Sequence, residues 1–270
     1  MVFSEEFMGV LQQVVEFSWE REVWFRGHSS TEYQLVPGLF RYKNETLPPE
    51  RQIAEILRTE ASLYNRFRTV ARRQIGDVVG FDLLMLMQHY GVPTRLLDWT
   101  ASFAVAMYFA TRKGLDRRPH VWALVPSDLN RVAEGDPALL AIDSMEYAVA
   151  VAQNKLGSAK ATHALLPAVV TDRIVAQQGR FTSHGNAGVP LDQETFGPAG
   201  ETLGATSLRR FDIPNNIQDI GNFLKLSGVS GNGVHAEFAL MQDLDTLGRE
   251  LRESCRTWSA RPRAMSSASG

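Results

Sequence analysis

The chain has a single cysteine, Cys255, among its 270 residues. An intramolecular disulfide and a cysteine-built zinc site are therefore excluded, and any metal would rest on His and carboxylate ligands. A lone thiol suits a reducing cytosol. Charge of one sign is not in excess either, since 28 Lys and Arg against 30 Asp and Glu give a formal net charge of −2. That balance argues against a strongly basic nucleic-acid binder of the phosphate-contact kind, and leaves room only for a local basic patch. No apolar run approaches the ~18 residues of a membrane span, and the opening MVFSEEF is acidic, without a basic leader region. The expected setting is cytoplasmic, with no membrane partner. Neither G-x-G-x-x-G nor G-x-x-x-x-G-K-[ST] occurs, and Gly231-Asn232-Gly233 is too short to stand in for them. G-x-S-x-G and H-E-x-x-H are missing as well, so common hydrolase and metalloenzyme readings have no motif behind them.

What is present is an ordinary globular composition, 44% hydrophobic and 21% charged. The alternation of helical and strand patterns predicts an α+β (mixed α/β) domain with a central mixed sheet flanked by helices. Residues 4–20 have helical spacing, with Ser4 as N-cap and Phe7, Met8, Leu11, Val14 and Val15 on the face that meets a sheet. Val23-Trp24-Phe25 predicts a strand delivering Arg26 to its end. After Pro48-Pro49 a second helix runs through Ala71, burying Ile53, Ile56, Leu57, Leu63, Tyr64, Phe67 and Val70. Its other face carries Arg51, Arg58, Arg66, Arg68, Arg72 and Arg73, read as solvated because Glu55 and Glu60 interrupt them. Phe81 to Gln88 predicts a buried helix ending near Gly91 and Pro93, and Asp98 or Thr100 is the predicted cap of a helix through Phe109.

Val121 to Val125 predicts a central strand, and the roles of 127–167 are left open. Strands are predicted at 168–170, 174–176, 211–214 and 235–240, with helices from Asn215 or Asn216 to Gly228 and from Asp243 through Leu251. Residues 185–206, rich in Gly, Pro and small side chains, predict a long surface loop with little to bury.

The densest run of committed residues is Gln88-His89-Tyr90-Gly91-Val92-Pro93-Thr94-Arg95-Leu96-Leu97-Asp98-Trp99-Thr100. With Trp24-Phe25-Arg26-Gly27, Leu35-Val36-Pro37, Phe40-Arg41 and Tyr108-Phe109-Ala110, it resembles the FRG domain family. Arg173-Ile174, Gln177, Gly179-Arg180-Phe181-Thr182 and Phe211-Asp212-Ile213-Pro214 are similar to the family's later blocks. Asp243-Leu244-Asp245 is similar to its C-terminal end, with Met241-Gln242 replacing an aromatic-proline pair. The resemblance covers roughly Trp24 to Leu251, and the expected organisation is an N-terminal helix over 1–22 packed on the domain, an FRG-type domain over 23–258 and a disordered tail of Ser and Ala residues over 259–270.

The order Arg26, Thr182-Ser183, Glu237 is also similar to the Arg, Ser-Thr-Ser, Glu order of ADP-ribosyltransferases, with His235 where a second Glu would stand. That likeness implies NAD as the substrate and no metal. Arg26, with Gly27 and His28 beside it, would grip the dinucleotide, while Gln88, His89 and Arg95 line the pocket. Thr182 and Ser183 would orient the ribose. Glu237 would be the catalytic carboxylate, with Arg26 and His89 assisting, and Asp98, Trp99 and Tyr108 would support the framework. It further implies an effector or toxin of a bacterial conflict or anti-phage system. The acceptor would be a protein or nucleic acid, and the partner an antitoxin or immunity protein.

Plainer readings stand beside each assignment. Arg26 pairs with Asp98, Arg95 pairs with Asp98 across a turn, His89 is a hydrogen-bonded core histidine, Thr182 and Ser183 are edge-strand hydroxyls, and Glu237 is an exposed strand residue. Two further functions fit the same residues: a non-catalytic ligand-sensing or interaction module, and a nuclease or hydrolase built on His89 and Asp98.

Overall fold

The structure, a computed structural model, describes residues 3–42, 46–139, 161–166, 176–230 and 242–259. The described residues fall into two compact units. One is drawn from Met1–Val36, Leu96–Ile142 and Lys160–Ala239, the other from Pro37–Arg95, Asp143–Ala159 and Leu240–Gly270. The predicted strands at 168–170 and 235–240, all of the predicted strand 174–176 except Ala176, and with them Glu237, lie outside the described residues.

The first unit is built on a six-stranded sheet in the order β4-β5-β2-β1-β3-β6. Its strands are β1 (Trp24–His28), β2 (Leu96–Thr100), β3 (His120–Leu124), β4 (His163–Leu165), β5 (Gly179–Ser183) and β6 (Leu208–Asp212). Among the described residues every pairing is antiparallel, where the sequence predicts a mixed sheet.

Helix α1 (Glu5–Ser18) lies on one face, capped by the Ser4 hydroxyl, which accepts from the Phe7 amide at 3.3 Å. Such a cap is worth about 0.5–2 kcal/mol. Phe7, Val14 and Phe17 are its buried residues, whereas Met8 and Val15, predicted to face the sheet, are 49% and 57% exposed. The buried set follows the i, i+7, i+10 seam, because only that narrow stripe reaches the sheet.

Helix α4 (Phe103–Thr111) packs on the same face across β1. Its cap is the Ser102 hydroxyl, which accepts from the Val105 amide. Asp98 and Thr100, the predicted caps, belong to β2 instead. The opposite face meets α5 (Pro126–Glu134) and the 185–206 segment around Trp24, Leu97, Trp99, Leu124, Leu129, Leu191, Phe196 and Leu208. Far from having little to bury, that segment sends Leu191 and Phe196 into the core, and the Leu191 amide donates to the Leu35 carbonyl at 3.1 Å. Glu194 is buried too, and accepts from the Thr162 amide at 3.1 Å and from the Thr162 hydroxyl. Burial pushes the Glu194 carboxyl above its usual range, and the two Thr162 bonds work against that rise. Helix α6 (Ile217–Leu226) starts at the predicted Asn216 cap, although Ile217 itself is exposed.

The second unit is helical: α2 (Pro49–Ile75), α3 (Gly80–His89) and α7 (Gln242–Ser259). The buried face of α2 comprises Ile56, Glu60, Leu63, Tyr64, Phe67 and Ala71, and Val70 is exposed rather than buried. Glu60 sits in the core because Arg95 is there with it. Both side chains are 1% exposed, and the guanidinium meets the carboxylate as a fork, Nε to Oε1 at 2.6 Å and Nη2 to Oε2 at 2.5 Å. The acidic group that the Arg95 guanidinium meets in this fork is thus Glu60, thirty-five residues upstream.

Candidate functional site

Strand β1 carries Trp24-Phe25-Arg26-Gly27-His28, and alternation sends Trp24, Arg26 and His28 to one face and Phe25 and Gly27 to the other. Gly27 fits only as glycine. A Cβ there would stand 1.9 Å from the Ala106 carbonyl oxygen and 2.7 Å from the Ala110 amide nitrogen, so α4 rests its backbone directly on this residue. The role of Gly27 is close helix packing, on the face opposite Arg26 and His28. Arg26, predicted at the end of its strand, is in the middle, paired with Trp122 of β3.

The register across β1, β3 and β6 builds rows on the Arg26 face. Trp24, Leu124 and Leu208 form an apolar row. Next come Arg26, Trp122 and Arg210, and then His28, His120 and Asp212. The face thus turns polar along the strands. Arg26 donates through Nε to His28 Nε2 at 3.1 Å and through Nη1 to the main-chain oxygen of Asp98. Arg26 does reach Asp98, as the plainer reading expects, through the backbone carbonyl.

The rings of His28 and His120 stand edge to face with centroids 5.1 Å apart, and Tyr33 and Trp122 flank them at 6.1 and 6.3 Å. Arg210 holds Asp212 at 2.7 Å through Nε. Burial, aided by the Arg210 guanidinium, pushes His120 down to about 4, while a backbone hydrogen bond with Arg118 and the Asp212 charge pull the other way. His120 is therefore neutral near pH 7. Among the described residues its Nδ1 has no hydrogen-bond partner, and neither does the buried Trp122 Nε1. A buried polar atom left unsatisfied costs about 1–3 kcal/mol, so these two mark hydrogen-bonding capacity that the described residues do not use.

Other predicted site residues have structural partners. The Thr182 hydroxyl accepts from the Trp99 indole at 3.1 Å, on a strand flanked by β2 and β4 rather than at an edge. Ser183 is buried in the position between Leu96 and His163. In the helical unit Gln88 accepts from the Thr94 hydroxyl, and half-buried His89 sits at the end of α3 with its ring edge-on to Tyr90 at 5.0 Å. Asp98 is exposed on β2, Trp99 is core, and Tyr108 is half-buried against Phe109. Among the described residues no group of three or more His, Cys, Asp or Glu could hold a metal ion.

His120, Trp122, Arg210 and Asp212 escape the sequence reading. Their signal is the same period-two alternation that marks Arg26 and His28. His120-x-Trp122 repeats it on an apolar strand, but only the strand order shows that the rows coincide.

The family model described as the FRG domain matches residues 21–118. That segment is an FRG domain. No curated protein and no solved structure gives a significant match to the chain. The FRG match takes in the whole of β1, the Gln88–Thr100 run and α4, and ends just before β3. Two of the polar cluster's residues, Arg26 and His28, are thus inside the FRG segment, and His120, Trp122, Arg210 and Asp212 follow it.

Proposed function

We propose that the chain is an NAD-utilising, ADP-ribosyltransferase-like effector or toxin that moves ADP-ribose onto a protein or nucleic-acid acceptor. The supporting observation is the polar end of the sheet face, where Arg26, His28, His120 and Trp122 hold adjacent cross-strand positions and two buried ring nitrogens are unused among the described residues. A dinucleotide offers what such a cluster takes: diphosphate oxygens for a guanidinium and N–H donors, and flat rings to lie against an indole. In this reading Glu237 stabilises the cationic ribose as nicotinamide leaves, in the manner of the oxocarbenium-like states of glycoside cleavage. The setting is a bacterial conflict or anti-phage system, with an antitoxin or immunity protein as partner.

A second reading is a ligand-sensing module without turnover. It is favoured by the engagement of Arg26 with its own framework, through His28 and the Asp98 carbonyl.

One experiment separates them. NAD binding is followed by titration calorimetry and nicotinamide release by chromatography, for the wild type, Arg26→Lys and Glu237→Gln, with cell extract as the acceptor source. Release that Glu237→Gln abolishes while binding survives supports the transferase. Binding without release in any extract supports the sensor, and absence of both sinks the NAD reading. Cleavage of RNA or DNA lost in His89→Ala would put a nuclease in its place.

A further inference from the structure

The polar face of α2 changes meaning once the fold is known. Arg51, Arg58, Arg66 and Arg73 recur seven or eight residues apart, so they return to the same side of the helix, opposite the buried Ile56, Glu60, Leu63 and Phe67. All four are exposed, as are Arg68 and Arg72 beside them. Of the two acids that break this stripe in the sequence, Glu60 is in the core with Arg95, and half-buried Glu55 is left. Arg72 is held by Asp77 at 2.9 Å. Arg51, Arg58, Arg66, Arg68 and Arg73 have no hydrogen-bond or ion-pair partner among the described residues. The near-zero net charge of the chain therefore conceals a concentrated row of guanidinium groups, with Glu55 as an acid on the same side.

We propose that this arginine stripe is a docking surface for double-stranded DNA, held through its phosphates. From Arg51 to Arg73 the row runs about 33 Å at the ~1.5 Å rise of an α-helix, close to the ~34–36 Å of one turn of the DNA duplex. Planar guanidinium forks match phosphate oxygens. Between them on that side stand half-buried Glu55 and the small, polar, exposed Ser62, Asn65 and Thr69. The aromatic residues of α2, Tyr64 and Phe67, are buried, so the stripe has none of the stacking platforms that hold single strands. Contacts of this kind recognise the backbone and carry no base sequence. The proposal is independent of the NAD reading, and either can fail alone.

The test is fluorescence anisotropy of the full chain with a labelled 20-base-pair DNA duplex between 50 and 200 mM salt. Arms with single-stranded DNA, an RNA duplex and phosphatidylserine vesicles run alongside. Four phosphate contacts predict a slope of log affinity against log salt of about −3.6, or a loss of affinity of roughly 100-fold over that range. Arg58→Gln with Arg66→Gln should halve the slope to about −1.8. Arg117→Gln, exposed and outside α2, should leave it unchanged. Substitutions on an exposed helix face leave the fold intact, which a thermal melt checks. The proposal is overturned by no duplex binding at 50 mM salt, by an unchanged slope in the double variant, or by tighter binding to RNA duplex, single strands or vesicles.

Discussion

The buried pair Arg95–Glu60 makes the sharpest test of how the helical unit is held. Each side chain is 1% exposed and the two are joined by a fork at 2.5 and 2.6 Å. Removing one partner takes the fork away from the other buried charge, at a cost of about 3–5 kcal/mol. Glu60→Leu and Arg95→Met should each destabilise by that amount. The double variant Glu60→Leu with Arg95→Met replaces both charges by apolar groups, and should lie near wild type or be up to ~4 kcal/mol more stable.

The assay is urea unfolding followed by two probes. Trp19, Trp24, Trp99 and Trp122, four of the five tryptophans, belong to the sheet-bearing unit, so indole fluorescence reports chiefly on that unit. Far-UV dichroism is dominated by helix, including α2. With a denaturant slope of roughly 2 kcal/mol per molar, each single variant should move its midpoint down by about 2 M in the dichroism transition. The reasoning is refuted if the double variant loses the sum of the two single losses, since additivity means that the side chains do not depend on one another.

Gly27→Ala should destabilise by more than the ~1–3 kcal/mol typical of overpacking, because the new methyl meets the α4 backbone at 1.9 Å rather than a side chain that could turn away; a melting temperature within a few degrees of wild type refutes the packing role. His120, pushed down to about 4 from an ordinary 6.5, is held neutral by the fold. Its stabilising contribution is full above about pH 6.5 and is lost as pH falls towards 4, a change of about 3 kcal/mol at ~1.36 kcal/mol per unit. The urea midpoint of wild type should therefore fall more steeply between pH 7 and 4.5 than that of His120→Gln, and parallel profiles refute it.

Local signals carried well where the chemistry is local. Ser4, Asn216 and the Pro49 start of α2 stand where short-range capping rules put them, and β1, β3 and α3 follow their apolar patterns. The misreadings are pairings across long separations. Glu60 looks like a surface acid because its neighbours are arginines, and the fork with Arg95 makes its burial tolerable. Asp98 looks like a cap because a helix follows within a few residues, yet the chain stays extended through Thr100 to pair with β5. The 185–206 segment looks unburied because Leu191 and Phe196 are isolated in it, and isolated anchors leave no periodicity to detect. For the candidate site, Arg26 and His28 were legible from β1 alone. His120 and Trp122 needed the strand order that sets β3 beside it.

The strand order also bears on how the protein is made. Three adjacent strands, β2, β1 and β3, all lie within the first 124 residues, and β4, β5 and β6, which stand outside them, come later. A chain emerging from the ribosome can thus assemble the middle of its sheet first and extend it outward on both sides. Until residues 163–212 arrive, β2 and β3 present open edges of unpaired amides and carbonyls, the feature that recruits foreign strands. Slow decoding or truncation between β3 and β5 should accordingly favour aggregation more than the same interruption after β6.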